Sequence, residues 1–90
     1  MTALIVTADT LTQRQAEAFG RAYMEHKGER ARLSAAEERG CTVRAAVSAG
    51  WLQDLTLEAV ADLPPRAVAA LAREIDAVYA AAMAPDPKAS

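Results

Sequence analysis

A single histidine, a single cysteine and two adjacent glutamates are the side chains in this sequence most suited to chemistry. His26 could act as a general base only beside a nucleophile and an orienting carboxylate. The carboxylates that flank it in sequence show no diagnostic spacing for that role. We therefore expect His26 to be a surface residue or to lie at the edge of the core.

Cys41 has no second cysteine for a disulfide, and one cysteine with one histidine cannot build a metal site of the paired-cysteine type. A reactive thiol is one interpretation of Cys41, but free cysteines are usually buried, which favours a small packing residue. Glu37 and Glu38 would point about 100° apart on a helix, so they cannot clamp one metal ion. With no phosphate-binding loop or nucleophile elbow in the chain, we expect no catalytic residue, no cofactor and no metal, and hence no enzyme.

The 90 residues carry a net charge of -2, which leaves no basic field to neutralise phosphates. We therefore expect no nucleic-acid partner. The apolar segment at residues 1–8 lacks a positive flank and is much shorter than the roughly 20 residues of a membrane span, so we expect neither a signal peptide nor a membrane anchor. The lone cysteine fits a reducing, cytoplasmic location.

Helix starts and stops divide the chain into three main helices. Thr10 and Gln13 have capping-box spacing, and Gly28 suits a helix end, so a first helix is predicted from about Leu11 to Lys27. The capping box Ser34 to Glu37 predicts a second helix to about Ala49, either unbroken or divided near Gly40.

A reversal of the chain is predicted at Gly50, where a left-handed glycine would fold Trp51 back toward Ala46. Thr56 can cap a single helical turn that ends before Pro64. Pro65 suits the first position of a third helix of about 20 residues. The apolar stripe of this helix comprises Val68, Leu71, Ala72, Ile75, Val78, Tyr79 and Ala82.

These elements predict an all-α fold: a small three-helix bundle with a short extra helical turn before Pro64 and an extended N-terminal arm. The predicted divisions are the arm at 1–9, one helical domain at 10–84 and a flexible tail at 85–90. The arm is either a loose terminus or a strand that adds to the edge of a partner sheet. The third helix has a wide apolar surface, so it lies either at the centre of the monomer or against another protein chain. A homo-oligomer is one assembly compatible with the second position.

Part of the sequence resembles small proteins of tailed phages and prophages that are encoded beside the tail tube and tape measure genes and include tail assembly chaperones. The similarity covers roughly residues 43–83. It rests on structural motifs, namely the run from Val43 to Gly50-Trp51-Leu52, Leu55-Thr56, Asp62-Leu63-Pro64, Leu71-Ala72 and Glu74-Ile75.

The resemblance implies a helical protein that binds the tape measure or tail tube protein during assembly in the bacterial cytoplasm, with or without staying in the virion. Aromatic anchors and clustered leucines dominate helix-in-groove binding. The partner-binding residues expected on that basis are Trp51, Leu52, Leu55, Leu57 and Leu63. The alternative, which burial statistics favour, is that this cluster forms the monomer core.

Two other functions are compatible with the sequence. A small acidic phage protein could inhibit a host defence complex by presenting carboxylates to a basic channel. A minor structural subunit of the virion is the third interpretation. Both remain alternatives to the assembly role.

Overall fold

The computed structural model describes residues 3–84, which form four α-helices and two short paired strands. The helices are α1 (Gln13–Lys27), α2 (Ala35–Ser48), α3 (Leu57–Ala61) and α4 (Pro65–Met83). The strands are β1 (Ala3–Leu4) and β2 (Leu52–Gln53). The predicted all-α fold, with its single extra turn before Pro64, is confirmed. The predicted tail at 85–90 lies outside the described residues.

The start of α1 differs by two residues from the prediction. Thr12, not Thr10, is the N-cap: its hydroxyl accepts from the Gln15 backbone N–H at 3.1 Å, and the Gln15 side chain accepts from the Thr12 N–H at 2.9 Å. Thr10 is already engaged, because its Oγ1 accepts from the Thr7 N–H at 2.8 Å. A tight turn before the helix therefore shifts the capping box along the chain.

The connection between α1 and α2 is held by Arg30. Gly28 ends α1 with a φ of 64°, as predicted. Arg30 then donates to the carbonyls of His26 and Lys27 at 2.8 and 2.9 Å and pairs with Glu37 at 2.8 Å. Glu37 is also the capping-box partner of Ser34. Hydrogen bonds from the Ser34 backbone and hydroxyl, with Arg30 assisting, lower the pKa of the Glu37 carboxyl.

The central helix of the fold is α2. It is unbroken through Gly40, and it is the element against which α1, α3 and α4 all pack. The buried residues of α2 face more than one side of the helix: Gly40, Cys41, Thr42, Val43, Ala45 and Ala46. Burial of Cys41 confirms the prediction that this cysteine is a packing residue. Of the two positions predicted for the last helix, the centre of the monomer is not occupied by α4: its apolar stripe packs against the core, but only Ala72 and Ile75 are buried. Small side chains on α2 let its neighbours approach closely, which suits α2 better to the centre.

The chain reverses after α2 at Gly50, whose φ of 77° confirms the predicted left-handed position. The Trp51 N–H donates to the Ala46 carbonyl at 2.9 Å, so the indole folds back onto the helix end. Trp51 is 0% exposed and stacks on Phe19, with ring centroids 4.5 Å apart. Its Nε1 donates to the Gln15 carbonyl at 3.2 Å. Phe19, Trp51 and Tyr79 form an aromatic cluster that joins the reversal to α1 and α4.

The N-terminal segment is extended, as predicted, but it pairs with its own chain. β1 and β2 are antiparallel, with Leu4 opposite Leu52, and the Ile5 N–H donates to the Trp51 carbonyl at 2.9 Å. Val6 is 5% exposed and belongs to the core. Neither sequence interpretation of residues 3–6, as a loose end or as a strand for a partner sheet, describes this arrangement.

A candidate protein-binding groove

The structure separates the five leucine and tryptophan residues predicted to bind a partner. Trp51 and Leu52 are buried in the core, so neither presents a surface in this conformation. For these two residues the monomer-core alternative holds. Leu55 and Leu63 are half-buried, and Leu57 is 42% exposed at the start of α3. The surface available to a partner is therefore carried by α3 and the residues next to it.

Leu63 lies in a groove of about 320 Å³ between the first turns of α2, helix α3 and the start of α4, called here the Leu63 groove. Thr56 caps α3 and Pro65 is the first residue of α4, so Leu63 lies in the short connection between two separate helices. Its floor is apolar and consists of Val60, Ala61, Leu63, Pro65 and Val68.

Two arginines and a glutamate of α2 form the polar wall of the Leu63 groove. Arg39 and Arg44 lie on either side of Gly40, and Glu37 is one turn nearer the helix start. A Cβ at Gly40 would lie 3.1 Å from the Arg44 guanidinium, so that side chain folds back over the glycine. Glu37 is already paired with Arg30, which leaves the wall with a positive character.

An apolar floor beside a cationic wall suits an amphipathic helix that buries leucine-like side chains and presents a carboxylate to the arginines. The sequence interpretation identified Leu63 but not Arg39, Gly40 and Arg44 as parts of one site. One feature of the sequence could have indicated the site: two arginines lie on either side of a glycine in the middle of a helix. Glycine at such a position lowers helix stability by about 1 kcal/mol relative to alanine.

One contact in the structure resembles a nucleophile and its base. His26 Nε2 lies 3.1 Å from the Ser48 hydroxyl and joins the C-terminal ends of α1 and α2. Among the hydrogen bonds of residues 3–84, none joins a carboxylate to the His26 ring. A serine–histidine pair needs such a third group to orient the imidazole for catalysis. The contact is therefore interpreted as a link between two helix ends.

Replacing Ser48 with alanine tests that interpretation. We expect the free energy of unfolding to fall by about 0.5–1 kcal/mol, because one hydrogen bond near the surface is lost. Urea denaturation followed by circular dichroism measures this change. Turnover of a chromogenic ester that disappears in the variant would instead assign catalysis to the pair.

Within residues 3–84, no three histidine, cysteine, aspartate or glutamate side chains converge as ligands for a metal ion. None of the helices in that range has the length and apolar character needed to cross a membrane. Comparison of the chain with protein-family models, with curated proteins and with solved structures gives no match.

Proposed function

We propose that this protein is a non-catalytic binding module of phage or prophage tail assembly, and that it holds a helical segment of the tape measure or tail tube protein in the Leu63 groove. The identity of the client comes from the resemblance of residues 43–83 to tail assembly chaperones. The mode of binding comes from the groove.

The observation that carries the proposal is the open apolar floor of the Leu63 groove. Val60 is buried, but Leu63 and Val68 are only half-buried and keep part of their apolar surface open to the groove. Leu57 adds a large exposed side chain at the other end of α3. Covering such side chains with apolar surface contributes about 25 cal/mol for each Å² removed from water. A partner helix would supply that cover.

The salt dependence of binding distinguishes this function from a charge-mimicking inhibitor. An association dominated by apolar burial tolerates added salt, whereas one dominated by presented carboxylates weakens steeply as salt screens the charges. Arg39 and Arg44 supply only a short-range contact at the rim. We therefore expect a shallow salt dependence for the client.

The direct test replaces Leu63 with aspartate and measures binding to purified fragments of the tape measure protein and of the tail tube subunit of the same phage. We expect the wild-type chain to bind one of them, and the variant to lose at least about tenfold in affinity, which corresponds to 1.4 kcal/mol. Calorimetry at low and high salt gives both the affinity and its salt dependence.

The matched control is Ile5→Asp, which places the same charge on an apolar residue that is 55% exposed and lies outside the groove. Its affinity for the client should equal that of the wild type. Equal losses in both variants, or no binding of either fragment by the wild type, would contradict the proposal. Recovery of the protein from purified particles without any client binding would favour a structural subunit.

A further inference from the structure

A second groove lies on the other side of the first turns of α2, between α1 and α4. It has a volume of about 450 Å³ and is called here the Tyr23 groove. Three aromatic rings contribute to it: Phe19 and Tyr79 of the aromatic cluster, and Tyr23 one turn further along α1. Met24, at 60% exposure, adds a flexible apolar side chain at the edge.

The space beside the rings is maintained by Gly20, in the middle of α1. A Cβ built there would meet no atom within 4 Å, and the backbone is helical. Glycine at such a position costs about 1 kcal/mol relative to alanine. Among residues 3–84 no contact compensates for this cost, since the open space above Gly20 belongs to the Tyr23 groove.

Two carboxylates border the same space. Asp76 of α4 and Glu38 of α2 both line the groove, and burial followed by the charge of Glu38 raises the pKa of the Asp76 carboxyl. Burial, with the nearby acidic groups, also raises the pKa of the Tyr23 hydroxyl. The negative charges are therefore close enough to disfavour one another.

No cation of the described chain neutralises these carboxylates at close range. Among residues 3–84 the one ion pair within 4.0 Å joins Arg30 to Glu37, away from this groove. Arg39 lines the groove but lies farther than that from both carboxylates. Both carboxylates are exposed and have no ion pair within 4.0 Å with any residue that the structure describes, so a positive group can approach them beside the aromatic rings.

We infer that the Tyr23 groove receives a cationic side chain, arginine or lysine, from a protein partner. The cation would contact the aromatic faces, which attract positive charge, and pair with Asp76 and Glu38, while its aliphatic stem covers Met24 and the space over Gly20. The inference rests on the proposed protein-binding function but not on the identity of the client. Because the cation and the apolar stem are recognised together, this groove selects basic positions on an amphipathic segment.

A short peptide tests the groove without the client. The probe is the capped pentapeptide Leu-Ala-Arg-Ala-Leu, and its matched control carries citrulline, the neutral isostere of arginine. In a titration of isotope-labelled protein, we expect the arginine peptide to shift the amide resonances of Gly20, Tyr23 and Asp76. The citrulline peptide should bind about tenfold more weakly.

Two variants and one control variant locate the effect. Removing both charges with Glu38→Gln and Asp76→Asn should lower the affinity for the arginine peptide about tenfold, whereas Glu74→Gln, on an exposed carboxylate of α4 outside the groove, should leave it unchanged. Gly20→Leu should fill the groove and block the peptide while the helix content stays the same, since the added side chain meets open space.

Equal binding of the two peptides, shifts that map outside the groove, or no shifts at all would overturn the inference. Tape measure or tail tube fragments that bind while the arginine peptide does not would leave the proposed function standing and remove only this site. Arginine-dependent binding of the peptide in the Tyr23 groove, with no binding of the tape measure or tail tube fragments, would support this site and contradict the proposed function.

Discussion

Replacing Trp51 with alanine should remove a large part of the stability of the protein. The indole is completely buried, stacks on Phe19 and donates a hydrogen bond to the Gln15 carbonyl. Removing a buried aromatic side chain costs about 3–5 kcal/mol. A chain of 90 residues has a total stability of about 5–13 kcal/mol, and small domains lie at the low end of that range. Far-ultraviolet circular dichroism during urea denaturation measures the loss.

Trp51→Phe is the matched variant. It keeps an aromatic ring against Phe19 but removes the N–H that satisfies Gln15, so we expect a smaller loss of about 1–2 kcal/mol. As the chain contains one tryptophan, its fluorescence reports this site alone, and emission at short wavelength is expected in the native state. A Trp51→Ala variant as stable as the wild type would contradict the aromatic cluster as the centre of the core.

Removing the N-terminal segment up to Val6 should lower the free energy of unfolding by about 3 kcal/mol. If this segment were a disordered end, its deletion would not change the stability. The deletion removes Val6 from the core, which exposes the residues packed against it, and it removes the pairing of Leu4 with Leu52. It also removes the Ile5 N–H that satisfies the Trp51 carbonyl. Thermal and urea unfolding of the shortened chain measure the effect.

Two neighbouring point variants separate packing from chain length. Val6→Ser should cost about 1.5–3 kcal/mol, because it replaces a buried side chain. Ile5→Ser, at a residue that is 55% exposed, should change the stability by less than about 0.5 kcal/mol. Equal effects of the two substitutions would show that the segment does not pack in the register described.

The two grooves have a common origin in the uneven burial of α2. From Gly40 to Ala46 most of the helix is enclosed, while its first turns, including Glu37, Glu38 and Arg39, remain exposed. α1 and α4 therefore flank a ridge that neither covers, with one groove on each side, and Arg39 lines both. A partner that spans the ridge would meet a cationic wall on the α3 side and carboxylates on the α1 side.

The sequence determined most of the helix boundaries, because capping and termination act over a few residues. Ser34 with Glu37 started α2, and Gly28 and Gly50 ended their helices at a positive φ that favours glycine. The one shifted boundary, at α1, arose because Thr10 and Thr12 both have glutamine at capping distance. The turn between Thr7 and Thr10 decided between them.

Only the tertiary structure decided which apolar residues are core and which are surface. A stripe of apolar side chains has the same periodicity whether it faces its own chain or another, so the sequence left Trp51 and Leu63 in one predicted cluster. Packing separated them: Trp51 met Phe19 from a helix far away in sequence, while Leu63 stayed at an open edge. The N-terminal strand, the central position of α2 and both grooves likewise depend on contacts between distant segments, which local periodicity does not specify.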